Sequence, residues 1–368
     1  MRCQSVALEI SYIRQMNRRN YISLLSAAIF ARAFASDAEA IQSAQTYQAQ
    51  RTLQIEGYRS TLRQFIKSGT LPIIDVEHHW GTGRGVAAFP IGQLIEKMDR
   101  QGVALTWLGV NESMGNSASL AEAAKAPSRL VPTIMHGDGP RWHGRDRSLL
   151  RDIDADARSG KYWAMGEFEA RHYVSSTNNR DIHTPLDSEG FEIVFKASAD
   201  MGLPFLIHHE AEDALLPELE AMLVKYPHAK VIWCHVGRNR DPIKWIRFPT
   251  PDGVRSFIAQ HPNLHFDILQ SGPMSTFPPR SAFGTLDSAM YEQRSGSPQL
   301  KPEWKKLFAD HPDRFLIGSD INTGRWTNYD QVFSRLRLAL LESLPPIAAE
   351  LIAYQNAWRL MTNEKWIQ

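Results

Sequence analysis

Cysteine is scarce in this sequence, which contains only Cys3 and Cys234. Two thiols supply neither a disulfide framework nor a cysteine-based zinc site. Cys234 lies in an apolar run, where we expect it to be a small buried hydrophobic side chain. Cys3 is expected to leave with an N-terminal targeting segment.

An excess of charge of one sign is also missing. The sequence has 41 basic and 40 acidic side chains, a formal net charge of +1. Without a global field, we expect no binding to nucleic acid or to an acidic membrane surface. The apolar stretch of residues 21–30 is too short to span a bilayer, so no stable membrane insertion is expected.

A P-loop, a G-x-G-x-x-G after a strand and a G-x-S-x-G elbow are absent as well.

The composition is otherwise that of a soluble globular protein, with 43% apolar and 22% charged residues. The 368 residues suit one α/β barrel of about 250 residues with extensions. Thirteen histidines and ten tryptophans are more informative. Histidine is the commonest metal ligand and tryptophan lines ligand pockets, although packing or a surface position is the more common role of any single one.

The N-terminus resembles an export signal. The adjacent Arg18 and Arg19 make residues 17–20 a basic region, residues 21–30 are mostly apolar, and small-residue cleavage motifs follow at 33–35 and 38–40. This order predicts a signal or targeting segment over residues 1–40 and a periplasmic protein. The adjacent arginines indicate twin-arginine export. The alternative is a short amphipathic helix in a cytoplasmic protein.

Residues 41–70 are interpreted as a helical extension, since residues 48–67 carry an apolar stripe that ends before Gly69. Residues 71–368 alternate short apolar runs with longer helical patterns. Eight runs at this spacing predict parallel strands buried on both faces and closed into a distorted (β/α)₈ TIM barrel. The runs are Leu71–Val76, Val103–Val110, Leu130–Met135, Tyr162–Phe168, Pro204–Ile207, Lys230–Cys234, Leu264–Leu269 and Arg314–Ile317.

Three long loops follow predicted strands, at residues 137–147, 175–187 and 271–298. Barrel active sites lie on the face where such loops emerge. We interpret the loops as a lid or a substrate wall, with mobile surface loops as the alternative.

Polar groups that can bind metals stand at the ends of five runs: Glu77, His79, Glu167, His208, His235 and Asp320. Stability gives a buried strand no reason to end in histidine or carboxylate, whereas at the top of a barrel such groups converge. Two residues apart on one strand, Glu77 and His79 should both face the barrel axis and His78 should face away. Asp75 is predicted to be structural and to bind backbone near the barrel mouth.

These motifs together resemble the amidohydrolase superfamily, in its amidohydrolase-related branch of lactonases, other hydrolases and aromatic-acid decarboxylases. The resemblance covers residues 71–362 and rests on five motifs in the correct order. They are Ile73-Ile74-Asp75-Val76-Glu77-His78-His79-Trp80, Pro204-Phe205-Leu206-Ile207-His208, Val231-Ile232-Trp233-Cys234-His235-Val236-Gly237, Gly318-Ser319-Asp320 and Asn356-Ala357-Trp358-Arg359-Leu360.

The resemblance implies a metal held by Glu77, His79, His208 and Asp320. Asp320 would also move the proton of a metal-activated water, and His235 would bind substrate or stabilise developing negative charge. Zinc is the expected ion, with manganese or iron as alternatives. The family usually begins with His-x-His, and Glu77 in its place resembles the decarboxylase-like members.

Glu167 is left with two interpretations. In two-metal relatives a fourth-strand carboxylate bridges the ions and the sixth-strand histidine joins the second ion, which Glu167, His208 and His235 would reproduce. Alternatively Glu167 orients a ligand histidine or pairs with an arginine. One or two ions per chain are therefore expected. Arg238, Trp80, Trp326, His209 and Glu210 are candidate substrate contacts, while His136, His143, His172 and His183 are predicted to lie on the surface.

The sequence thus predicts a metal-dependent hydrolase that uses activated water on a C–O or C–N bond of a small lactone, ester or amide. A metal-dependent decarboxylase of an aromatic or enol acid is the second hypothesis. An exported barrel that binds a ligand without catalysis is the third, and retention of Asp320 and His235 is evidence against it. A homo-oligomer is left open.

Overall fold

The computed structural model describes residues 49–81, 89–172, 181–210, 212–236, 250–268, 290–294, 297–322 and 326–367. The chain divides into two compact units, Met1–Ile55 and Glu56–Gln368. The predicted signal segment, residues 1–40, lies outside the described residues. The second unit contains the barrel.

The described strands alternate with helices along the chain. The strands are β1 Ile73–Trp80, β2 Val103–Val110, β3 Leu130–Ile134, β4 Ala164–His172, β5 Ile182–His183, β6 Pro204–His209, β7 Lys230–Trp233, β8 Leu264–Ile268, β9 Tyr291–Arg294, β10 Ser297–Leu300 and β11 Phe315–Ile317.

Eight of these strands form a closed parallel barrel. Their order is β3-β2-β1-β11-β8-β7-β6-β4, and β3 also pairs with β4 and so completes the ring. The short β5 lies antiparallel to β4, and β9 and β10 form a separate antiparallel hairpin. Each of the eight predicted apolar runs overlaps one barrel strand, so the predicted TIM barrel is confirmed.

Helices connect the strands and surround the barrel. They are α1 (residues 49–67), α2 Ile91–Gln101, α3 Asn116–Ala123, α4 Pro140–His143, α5 Arg147–Ser159, α6 Glu189–Met201, α7 Leu216–Lys225, α8 Pro251–Gln260, α9 Pro302–Asp310, α10 Tyr329–Arg335, α11 Pro346–Glu350 and α12 Asn356–Thr362. None of the helices in the described part of the chain is both long and apolar enough to cross a bilayer.

Local sequence explains where these elements begin and end. Every residue of β2 and β4 is buried, as expected for strands covered on both faces. The α5 helix begins after Asp146, whose carboxylate accepts hydrogen bonds from the backbone N–H groups of Ser148 (2.8 Å) and Leu149 (3.1 Å). The α2 helix ends at Gly102, which has a left-handed φ of 65°.

The predicted long loops are described in part. The 137–147 loop contains the short helix α4, and residues 181–187 contain β5. The end of the 271–298 segment is not loop but the first part of the β9–β10 hairpin, which apolar spacing alone did not indicate. A lid role for these segments stays a prediction.

Candidate metal centre

The carboxyl ends of five barrel strands bring all six predicted metal-competent side chains together. Glu77 and His79 come from β1, Glu167 from β4 and His208 from β6, while His235 and Asp320 follow β7 and β11. His79 Nε2 lies 3.3 Å from Glu167 Oε2, 3.4 Å from Asp320 Oδ1 and 3.7 Å from Glu77 Oε1. The four predicted ligands and Glu167 therefore face one small volume.

Glu167 lies at the centre of this group. Its Oε1 is 2.8 Å from His208 Nδ1 and 3.2 Å from His235 Nε2, and its Oε2 is the oxygen next to His79. One carboxylate thus contacts three imidazoles from three strands. A pairing of Glu167 with Arg238 is not tested, because Arg238 lies outside the described residues.

Two site residues occupy left-handed turns directly after their strands. His235 has a φ of 64° and donates its backbone N–H to Asp267 Oδ1 (2.6 Å). Asp320 has a φ of 48° and donates its backbone N–H to the Glu77 carbonyl oxygen (2.9 Å). Such φ values are uncommon for residues other than glycine. The two backbone hydrogen bonds fix these turns and thereby orient the side chains of His235 and Asp320.

Asp75 is a structural residue that binds backbone near the barrel mouth, as predicted. Its carboxylate accepts hydrogen bonds from the Ser319 backbone N–H (2.9 Å) and hydroxyl (2.8 Å), which joins β1 to the turn that carries Asp320. His78 faces away from the axis, again as predicted, with its ring edge-on to Phe89 and Tyr329.

The buried carboxylates in this volume repel one another, while the neighbouring imidazoles stabilise the charge on Glu167. Burial raises the pKa of Glu77 well above its usual value, and the negative charges of Asp267, Glu167 and Asp320 raise it further. Burial alone would raise the pKa of Glu167, but the neighbouring His208 and two more imidazoles hold it well below its usual value. Burial would lower the pKa of His208, yet the Glu167 charge raises it to about 9.

The residues present fit a divalent cation. Both Glu77 carboxylate oxygens, His79 Nε2 and Asp267 Oδ2 are buried and make no hydrogen bond among the described residues. Leaving such atoms unpaired is unfavourable, and a bound ion would satisfy them. Ligand atoms lie within 4.8 Å of one another in the groups Glu167, His208, His235 and Glu77, His235, Asp320. Oxygen and imidazole donors of this kind suit zinc, manganese or iron.

Glu210 was expected as a candidate substrate contact, but the structure places it against His208. Its Oε1 lies 3.2 Å from His208 Nε2, while Nδ1 of the same ring faces Glu167. If Glu210 accepts the Nε2 proton, Nδ1 is left as the metal-facing nitrogen.

Two of the histidines predicted to be on the surface are buried, and that prediction was wrong for them. His136 is 1% exposed and its ring stacks on His79 with centroids 3.8 Å apart. His172 is 5% exposed and stacks near His208 at 5.0 Å. Both were assigned to loops, whereas β4 runs to His172 and His136 forms a bridge with Asn111. His143 is half-buried near Glu169, and His183 is exposed.

Three other predicted substrate contacts, Trp80, Trp326 and His209, pack against neighbouring aromatic rings or backbone groups. Trp80 donates its indole N–H to the Phe89 carbonyl oxygen (3.3 Å), and Trp326 stacks on the Phe89 ring at 3.6 Å. These two tryptophans lie together on the side of β1 that carries His78. His209 packs edge-on to Trp233, and burial lowers its pKa to about 4.

Asp267 and His136 are site residues that sequence reasoning did not select. Asp267 is inside the apolar run of β8 and 0% exposed. A carboxylate in an otherwise apolar strand of a barrel was the available signal, since such a group needs a buried partner.

Fold and site together define a (β/α)₈ barrel with a metal-competent mouth. The model of the amidohydrolase family matches residues 117–361, more than half of the sequence, and the chain belongs to this family. The match begins after β1 and β2, so Glu77 and His79 lie outside it. No curated protein sequence matches the chain.

Solved structures with the same fold are distant in sequence. A candidate 2-pyrone-4,6-dicarboxylic acid hydrolase from Pseudomonas putida is 12% identical, with a TM-score of 0.50 over 80% of this chain and 99% of that one. The 5-carboxyvanillate decarboxylase from Sphingomonas paucimobilis is 13% identical, with a TM-score of 0.46 over 79% and 99%. A zinc-bound amidohydrolase from Burkholderia multivorans is 13% identical, with a TM-score of 0.49 over 78% and 98%. At this identity the similarity concerns the fold only.

Proposed function

We propose that the protein is a metal-dependent hydrolase that cleaves a C–O or C–N bond of a small lactone, ester or amide with an activated water. The observation that supports this choice is the central position of Glu167, which contacts His79, His208 and His235 at 2.8–3.3 Å. A carboxylate in that position suits a site for two ions. Zinc is the expected ion, with manganese or iron as alternatives.

The chain's own residues have distinct roles in this proposal. Glu77, His79, His208 and Asp320 would hold the ion, and Glu167 would provide a further carboxylate ligand in a site for two ions. A divalent ion bound here supplies Lewis acidity and lowers the pKa of a nearby water. Asp320 accepts the proton of the attacking water and returns it to the leaving group. His235 Nε2 lies 4.0 Å from Asp320 Oδ2, a position from which it can stabilise negative charge that develops on the substrate.

A metal-dependent decarboxylase of an aromatic or enol acid is the second candidate. Glu77 favours it, because a glutamate at the first ligand position resembles the decarboxylase-like members of the branch. In that reaction His235 would orient the substrate carboxylate and no water would attack.

Metal content of wild type beside Glu167→Gln tests the proposal. We expect about two ions per wild-type chain and one or none in the variant, because the amide is a much poorer bridging ligand. Glu303→Gln, which changes an exposed carboxylate in the first turn of α9, is the control. One ion in both proteins would favour the decarboxylase, and no ion in either would contradict both reactions.

The reaction itself is tested with the metal-loaded protein. Incubation in ¹⁸O-labelled water with a panel of lactones, esters and amides should place one labelled oxygen in the product acid. Release of carbon dioxide from aromatic acids without label incorporation would instead establish the decarboxylase.

A further inference from the structure

Cys234 faces the barrel interior rather than the surrounding helices. The preceding residue, Trp233, faces outwards, since its ring packs against Phe257 of α8 at 5.9 Å and Phe266 at 5.7 Å. Because successive side chains of a strand alternate, the Cys234 thiol lies on the inner side, where it is 3% exposed. The sequence predicted its burial but not its place at the metal centre.

Carboxylates surround this thiol. The sulfur and one carboxylate oxygen each of Glu77 and Glu167 lie within 4.8 Å of one another. Both oxygens of Glu77 are fully buried and make no hydrogen bond among the described residues, so this carboxylate has an oxygen to offer to each of two ions.

The total charge also calls for more than one ion. Glu77, Glu167, Asp267 and Asp320 are each at most 6% exposed. One divalent ion would neutralise two of these four carboxylates, and buried charge that stays uncompensated is strongly unfavourable. The imidazoles cannot make up the difference once they bind an ion, because only the neutral ring is a ligand. Two divalent ions would balance four of the five negative charges that these carboxylates and an ionised Cys234 thiol carry.

We propose that Cys234, Glu77 and Glu167 form a deeper cation subsite, below the level of His79 and His235, that takes a thiophilic divalent ion. A sulfur ligand selects zinc, cadmium or cobalt over magnesium, calcium and manganese. When the ion binds, the metal–sulfur bond forms, the S–H bond breaks and its proton passes to solvent. The subsite would hold the second of the two ions expected in the proposed function. Glu77 and Glu167 each have two oxygens, so each can serve both ions. The inference rests on the proposed metal centre.

Titration of the metal-free full chain with cobalt(II) tests the subsite. A thiolate ligand gives a sulfur-to-cobalt charge-transfer band in the near ultraviolet, which oxygen and nitrogen ligands do not give. We expect the band in wild type and in Cys3→Ser, which removes the other thiol. It should be absent from Cys234→Ser and Cys234→Ala, and both should bind about one ion fewer per chain.

The outcomes separate this inference from the function proposed above. Cobalt binding without the band, or equal stoichiometry in wild type and the two Cys234 variants, would overturn the subsite and leave the upper metal centre standing. No cobalt binding by wild type would overturn both. Far-ultraviolet circular dichroism of each variant shows that the comparison is between folded proteins.

Discussion

At the scale of single residues, His136 holds two parts of the metal centre. Its ring stacks on His79 with an interplanar angle of 14°, and its Nδ1 accepts the Glu167 backbone N–H at 2.7 Å. A neutral imidazole that accepts at Nδ1 carries its proton on Nε2, so His136 is not a ligand in this arrangement. Burial, with the neighbouring His79, lowers the pKa of His136 well below its usual value, which keeps the ring neutral.

Two substitutions separate these contacts. His136→Asn keeps an acceptor near the Nδ1 position and loses the stacked ring, whereas His136→Phe keeps the ring and loses the acceptor. Each should weaken metal binding by roughly 10- to 100-fold, the usual effect of losing a group that orients a ligand. Competition with a chromophoric chelator measures the affinity, and His183→Asn on an exposed position is the control. Wild-type affinity in both His136 variants would show that the stacking and the hydrogen bond do not matter.

His208 makes the metal-free protein sensitive to pH. Its pKa rises from an unfolded value of 6.5 to about 9 when the protein folds. A raised pKa means that the charged ring stabilises the fold fully below pH 6.5 and that this contribution is lost as the pH rises through 9. The free energy of unfolding should therefore fall between these limits, by up to about 3 kcal/mol. Urea unfolding of the chelator-treated protein at pH 6, 7, 8 and 9 measures this, and His208→Gln should make the profile shallower. The raised pKa of His79 leaves a slope of the same sign. A profile that is equally steep in the variant would assign the effect to another group.

At the scale of elements, Gly318 directly after β11 has no side chain, and the carboxylates of Asp267 and Glu77 occupy the space beside it. A Cβ atom on Gly318 would lie 2.7 Å from Asp267 Oδ2 and 3.0 Å from Glu77 Oε2. Both oxygens belong to buried side chains that cannot move into solvent. The glycine therefore fixes how closely strands β11, β8 and β1 approach at the site.

Gly318→Ala should displace these carboxylates. We expect a loss of roughly 1–3 kcal/mol in the free energy of unfolding, as for other overpacked cores, together with reduced metal content. Denaturant unfolding and elemental analysis measure the two effects. Gly92→Ala is the matched control, because a Cβ there meets no atom within 4 Å and lies in the helix α2. If the two variants behave alike, the close approach at Gly318 is unimportant.

The elements also show which features can be read from a sequence. The eight strands were predictable because strands covered on both faces are continuous apolar runs, and Glu77, His208 and Asp320 were visible because they interrupt that pattern at strand ends. Asp267 and Cys234 were not selected, because an inward position inside a run depends on its neighbours across the barrel. His136 does follow the end of β3, but its bridge to Asn111 and its stacking on His79, which bury it, depend on residues far away in the sequence.

At the scale of the whole molecule, the described barrel and the N-terminal segment raise separate questions. The barrel has its own core and contains every site residue discussed above. The segment before residue 49 lies outside the described residues, so its role is argued from its sequence alone. The evidence for an export signal is the pair Arg18 and Arg19, the mostly apolar residues 21–30 and the small-residue motifs at 33–35 and 38–40.

We propose that this segment directs export and is then removed. The twin-arginine route carries folded proteins, which would allow the metal to be loaded before transport. Expressed as the full chain in a bacterial host, the protein should appear in the osmotic-shock fraction with a mature N-terminus shortly after residue 35 or 40. Arg18→Lys combined with Arg19→Lys should retain the unprocessed chain in the cytoplasm, while Arg63→Lys, in α1, should not.

An intact wild-type chain that starts at its first residues and stays in the cytoplasm would favour the amphipathic-helix alternative. Export of the double variant would instead assign transport to the general secretory route, which requires a basic and apolar segment but not paired arginines.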